Sequence, residues 1–293
     1  MHGRRLTKMV VGLALLAAVT TACGRSDGGE STEVSDEALS GAKASELVPE
    51  ELAESGVLRV ATAEGYPPME MFKPGTQKLI GVDPDLAAAI ADRLGLKLEM
   101  TNASFPGLIP GLSADRWDLA MSSMSDTEER RQAVDFVDYF HAGGSIVVAK
   151  GNPEGITDLE SLCGTDVVLA KGSSNLAIGE AQNEKCDERM NISVSEDAPT
   201  GLLEIESGRS VASIVDYPVA KDIASNNAAY AVLEEQYDAG PWGVAVAKAD
   251  NELRDAVKVA LEELLDSGEY EKILNKWDVK ASAVDEITIN TEK

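Results

Sequence analysis

The chain has 293 residues, enough for two domains of ordinary size, and its composition (44% hydrophobic, 26% charged) is that of a globular protein. With 51 acidic residues against 26 basic ones the net charge is −25, which excludes the basic footprint that nucleic-acid binding needs. Two histidines, His2 and His141, and three cysteines without a Cys-x-x-Cys pattern exclude a histidine-rich metal site and a four-cysteine zinc site.

The first 22 residues read as an address. Arg4, Arg5 and Lys8 precede an apolar run at 9–19, too short to span a bilayer but of signal-peptide length. Thr20-Thr21-Ala22-Cys23 follows, similar to the small residues before the lipidated cysteine of bacterial lipoproteins, with Thr20 where that pattern favours Leu or Val. An ordinary signal peptide that contains a cysteine is the alternative. Cleavage before Cys23 would leave 271 residues and a charge of −28. Residues 23–49 are rich in Gly, Ser and acids, and read as a flexible tether. Cys163 and Cys186 remain. In an exported chain they are expected to bridge, two buried thiols being the alternative.

From residue 57 the chain alternates strands and helices, the pattern of an α/β protein. A strand at 57–63 is followed by a hairpin around Lys73-Pro74-Gly75. Asp83-Pro84-Asp85 opens a helix with Asp83 as its cap, and Gly95 closes it. A strand at 96–101, a short helix at 108–112, a strand at 119–123 and a helix through Arg130 come next. A second part begins with a strand at 145–149. Strands at 166–170, 211–215 and 243–247 and helices after Ser174, at 200–207 and from Pro218 follow. Helices at 252–267, with Leu253, Val257, Leu261 and Leu264 in line, and at 270–277 end the pattern.

Open α/β sheets bind ligands beyond the carboxyl ends of their strands. Three such ends carry polar residues here. In the first, Ser122 to Thr127 lead into a helix whose Arg130, one turn in, suits a bidentate grip on a carboxylate. The same Arg could lie on a solvated face beside Glu128 or Glu129. In the second, Lys171-Gly172-Ser173-Ser174 offers backbone N–H groups, or is an ordinary capped helix start. In the third, Asp216 suits an ammonium, or caps the helix after it. Two anion sites and one carboxylate describe a small zwitterion. Tyr66, before Pro67-Pro68, and Phe105, before Pro106, are aromatics in polar turns that could grip an apolar stem or pack locally.

These residues resemble the bacterial extracellular solute-binding proteins of family 3, the polar-amino-acid-binding components of ABC importers. The matching segments include Tyr66-Pro67-Pro68, Gly81-Val82-Asp83-Pro84-Asp85-Leu86, Leu108-Ile109-Pro110-Gly111-Leu112, Ser125 to Arg130, Val134-Asp135-Phe136, Lys171-Gly172-Ser173-Ser174, Val215-Asp216 and Gly268-Glu269-Tyr270, in order over about 56–278. The resemblance implies an α/β, two-lobed periplasmic-binding-protein-like fold with two crossover strands and a central cleft. Lobe one would be 50–143 plus 243–293, lobe two 148–237, and the crossovers 144–147 and 238–242. It implies that Arg130 and backbone N–H groups at Ser125 and Ser174 bind the α-carboxylate. Asp216 and the Ser123 region would bind the α-ammonium, and Tyr66 and Phe105 would sandwich the side chain. Asp126 departs from the family pattern, which favours Ile or Thr. Ala63 stands where relatives for basic amino acids carry an acid, with Glu64 and Asp83 near enough to substitute.

The function so implied is capture of a polar amino acid for an ABC permease. The protein would be a monomer, lipid-anchored outside the cytoplasmic membrane or periplasmic, with no cofactor and no metal. A surface sensor or adhesin would use the same lobes. A dehydratase-like enzyme of this fold would need an acid or base that the expected cleft set does not supply.

Overall fold

The computed structural model describes residue 39 and residues 41–291. The signal segment and Cys23 lie outside the described residues. Part of the expected tether does not behave as one. Leu39 and Ala44 are buried, a 3-10 turn covers Ala44–Glu46, and the Ala44 N–H donates to Glu263 Oε1 at 3.0 Å. Two small apolar anchors in a polar run suffice to dock it, and composition averaged over the run hides them.

Lobe one opens with α1 (Glu50–Ser55), β1 (Val57–Thr62), the antiparallel pair β2 (Met71–Phe72) and β3 (Leu79–Ile80), and α2 (Val82–Leu94). β4 (Lys97–Asn102), α3 (Leu108–Ser113), β5 (Leu119–Ala120) and α4 (Glu128–Arg131) continue it. β6 (Val134–Ala149) leads into lobe two. That lobe holds β7 (Asp166–Ala170), α5 (Ser174–Lys185), β8 (Asn191–Ser195), α6 (Ala198–Glu206), β9 (Ala212–Asp216), α7 (Tyr217–Asn226) and β10 (Tyr230–Val232). β11 (Tyr237–Ala247) returns to lobe one, which α8 (Asn251–Asp266), α9 (Glu269–Lys276) and β12 (Thr288–Ile289) complete.

Each lobe is built on a sheet with parallel strands joined through helices. In lobe one the order is β4-β1-β5-β11-β6, with β12 on the far side of β6. In lobe two it is β10-β6-β9-β7-β8. β1 runs parallel to β4 and β5, and β7 runs parallel to β8 and β9. The carboxyl ends of both parallel sets therefore lie beside the gap between the lobes.

β6 and β11 belong to both sheets. The expected crossover at 144–147 is already sheet, because residues 144–148 pair with β9. The passage between lobes falls just before it, where 140–142 face 240–242 of β11. Gly144 is closely packed there: an added Cβ would lie 2.2 Å from Asn175 Oδ1 and 2.9 Å from Ile214 Cγ2. The strand begins at Val134, not at 145 as its residues suggested. Both of its faces are covered, so the hydrophobic alternation that marks a half-exposed strand is missing.

The cap of α2 also differs from expectation. Gly81 is the N-cap, at φ 140°, and a Cβ there would lie 2.1 Å from Met69 O. Asp83 is instead the second helical residue, and it is fully buried. α8 packs Leu253, Val257, Leu261 and Leu264 into the lobe-one core as its periodicity predicts. The opposite face of that sheet is covered by α3, where Leu108, Leu112 and Trp117 meet Ala61 and Phe136. Lobe two has its own core around Val167, Leu169, Ile146 and Ile214, closed at one edge by the Cys163–Cys186 disulfide (Cα–Cα 5.5 Å). No helix among the described residues is long and apolar enough to cross a membrane.

Candidate functional site

The turns after β1, β4 and β5 in lobe one and after β7 and β9 in lobe two enclose a cavity of about 350 Å³. That is the size of a small-molecule site. Tyr66, Phe105, Ser123, Ser125, Arg130, Ser173, Ser174 and Asp216, the eight binding candidates named from the sequence, all line it.

Arg130 is held by its own turn. Thr127 caps α4, its hydroxyl accepting from the Arg130 N–H at 3.3 Å. The side chain turns away from Glu128 and Glu129 and into the cavity. Nη1 donates to Ser125 O at 2.8 Å, and Nη2 donates across the cleft to Gly172 O at 3.1 Å. Its guanidinium lies 5.3 Å from the centre of the Phe105 ring, a cation–π contact. Burial lowers the guanidinium pKa and the charge of Asp216 opposes this; it stays a cation.

Asp216 occupies the N-cap position of α7, but its side chain makes no cap bond. Instead, its Oδ2 accepts from the Tyr66 hydroxyl at 2.6 Å, and its N–H donates to the same hydroxyl at 3.2 Å. Burial and the Asp216 charge push the Tyr66 phenol well above its ordinary range, which keeps it a donor. Ser125 Oγ and Ser174 Oγ are 3.0 Å apart. Tyr66–Asp216, Arg130–Gly172 and Ser125–Ser174 all join one lobe to the other, so the lobes stand closed on the cavity.

Two candidates contribute differently from expectation. Ser173 caps α5, accepting from the Leu176 N–H at 3.1 Å and donating to Ala170 O at 2.8 Å. Ser123, at φ 49°, spends its N–H on Asp83 Oδ2 (2.8 Å) and its hydroxyl on Glu70 Oε2 (3.2 Å). Its polar groups are therefore already paired with buried acids.

Glu70 is the site residue that sequence reasoning missed. It lines the cavity at 1% exposure and also accepts from the Ser122 hydroxyl at 3.1 Å. An acid set among Met69, Met71 and Phe72 was the available signal. Asp83, offered as a substitute acid for the ligand, does not reach the cavity. It lies beneath Ser123 and accepts from the Tyr139 hydroxyl at 2.6 Å. Burial raises the pKa of both acids, and the charge of Asp83 raises Glu70 further. Glu64 lines the cavity, and so do Glu196 and Asp197 from lobe two. All three are exposed at its rim. Among the described residues no group of three or more His, Cys, Asp or Glu is placed to hold a metal.

The sequence pattern of the bacterial extracellular solute-binding proteins, family 3, matches residues 58–280. The chain belongs to this family. Among its relatives, the arginine-binding protein ArgT of Corynebacterium glutamicum is 30% identical over 252 residues, 84% of this chain and 82% of that one. The arginine-binding extracellular protein ArtP of Bacillus subtilis is 32% identical, over 75% of this chain and 85% of that one. Among solved structures, an ancestral arginine-binding protein bound to arginine has a TM-score of 0.71 and 36% identity, covering 76% of this chain and 98% of that one. An ancestral amino-acid-binding protein described as a precursor of cyclohexadienyl dehydratase has a TM-score of 0.72 and 32% identity, covering 78% and 98%.

Proposed function

We propose that this family member captures an amino acid with a cationic side chain between its two lobes and presents the closed form to the permease of an ABC importer. The observation that carries the reading is the meeting of Arg130 from lobe one and Asp216 from lobe two in one closed cavity. An α-carboxylate pairs with Arg130 and the N–H groups at the start of α5. An α-ammonium pairs with Asp216. Both partners engage at once only when the lobes are shut, so the ligand stabilises closure by its extra affinity for the shut state.

The acidic rim of Glu64, Glu196 and Asp197 favours a positive side chain, and two curated relatives are named for arginine. Recognition rather than catalysis is assigned because Arg130, Tyr66 and Asp216 are committed to grip and closure. Export through the signal segment and lipidation at Cys23 would hold the protein outside the cytoplasmic membrane.

Calorimetry with L-arginine, L-lysine, L-histidine and L-glutamine tests the reading. Arginine should bind most tightly, and at 100 times its Kd it should add about 2.7 kcal/mol of stability. Tighter binding of glutamine would overturn the cationic preference. Binding of no amino acid would overturn the function.

A further inference from the structure

Behind the cavity wall lies a buried cluster that the proposed function does not use. Asp126 and Asp138 are 1% and 2% exposed. Asp126 Oδ2 accepts from Arg131 Nη1 at 3.4 Å. Asp138 Oδ2 accepts from the Thr291 N–H at 3.1 Å and from Thr288 Oγ1 at 3.3 Å. The second oxygen of each carboxyl, Oδ1, is buried and has no hydrogen-bond donor.

Both residues flank the same stretch of β11. The Asp126 N–H donates to Pro241 O at 2.9 Å. Asp138 stands opposite Gly243 in the β6–β11 register, and a Cβ added to Gly243 would lie 2.8 Å from Asp138 Oδ1. The neighbouring elements add little charge. β11 presents Pro241, Trp242 and Gly243. The C-terminal strap, 288–291, presents Thr288, Asn290 and Thr291. α4 contributes Arg131, whose Nη1 also donates to the carbonyls of Asn290 and Thr291, and the more distant charge of Arg130. Asp135, further back on β6, is already paired with Lys248 and Arg254. With both acids ionised, two buried negative charges would share one Arg131, and two buried acceptors would lack a hydrogen, each a costly state.

We propose that Asp126 and Asp138 hold one proton between them, and that this proton latches the clamp loop, 124–131, and the C-terminal strap to β6. The proton removes one charge and turns one acceptor into a donor. Its position matters because the same loop carries Ser125 and Arg130. Burial and the charge of Asp138 push Asp126 up to about 7, and burial raises Asp138 as well. An unfolded Asp releases its proton near pH 4, about three units lower. The latch therefore contributes fully below about pH 4, and its contribution is lost as pH rises through about 7.

Asp126→Asn tests this, because its amide is a permanent donor in place of the proton. Melting temperatures of the ligand-free protein and the variant are compared from pH 5 to pH 9. The variant's advantage should grow from pH 5, level off above about pH 7, and be about 5–11 °C larger at pH 8.5 than at pH 5. Asp138→Asn should do the same, and it carries the test alone if the first variant fails to fold. Amide exchange of 124–131 and 288–291, corrected for intrinsic rates, should rise between pH 5 and 7 and level off above it, in the wild type only. A difference in melting temperature that does not vary with pH overturns the proposal. So does a rise in wild-type melting temperature with calcium chloride at pH 8.5 that disappears in the variants, because the pair would then hold a cation. No amino acid enters these measurements, so their failure is separate from failure of the amino-acid reading.

Discussion

Arg130→Ala is expected to abolish recognition of the ligand's carboxylate, and the structure sets the size of the effect. A guanidinium has five N–H donors. Two are engaged by Ser125 O and Gly172 O, at 2.8 and 3.1 Å, which leaves three for an anion. Removing them strands a buried carboxylate, at about 2–5 kcal/mol, or roughly 30- to 4000-fold in affinity. Loss of the lobe-to-lobe bond to Gly172 adds about 1 kcal/mol against closure. Arg130→Lys keeps the charge and loses the fork, so it should fall between the two. The assay is calorimetry with L-arginine and with L-argininamide, which lacks the carboxylate. Wild type should bind the amide at least about 30-fold more weakly, by the same carboxylate pairing. Arg130→Ala should bind the two alike. A variant that still prefers arginine by the wild-type ratio would refute the assignment. Asp250→Asn, exposed at the start of α8, serves as a control and should leave both affinities unchanged.

Two further outcomes follow from the buried acids and the bridge. Glu70 has a raised pKa, so its contribution to stability is present below the ordinary carboxylate range and is lost as pH rises; scanning calorimetry from pH 5 to 8 should therefore find a flatter stability profile for Glu70→Gln than for wild type, and an equal slope would remove Glu70 from the titration. Replacing both Cys163 and Cys186 with Ala should lower stability by about 3 kcal/mol, from the chain-entropy value of a 23-residue separation, and chemical denaturation would read it.

The strand and helix order was largely legible because most elements bury one face and leave the other wet, so their periodicity survives in the residues. β6 was truncated in the reading because it is covered on both sides. β8 was missed because it is a five-residue edge strand with only two apolar residues, too short for its alternation to stand out. The site was legible to the extent that its residues sit at strand ends. What each group does there was not, because its partners are remote in the chain. Tyr66 and Asp216 are 150 residues apart, and Ser123 is diverted by acids 40 and 53 residues before it. Ser173, whose partners lie three residues away on either side, was open to the capping reading from the outset.

The sharing of β6 between two sheets also governs how the molecule comes apart. In lobe two this strand is flanked by β9 on one side and β10 on the other. A piece cut at 148–237, the boundary that the family resemblance implied, would lose most of that central strand and expose the ladder of β9. In lobe one the same strand is flanked by β11 and β12. Melting either sheet frays the strand on which the other is assembled. The two lobes therefore form one cooperative unit, and fluorescence of Trp242 at the passage, isolated by replacing Trp117 and Trp277 with Phe, and far-ultraviolet dichroism from the helices should trace a single coincident transition.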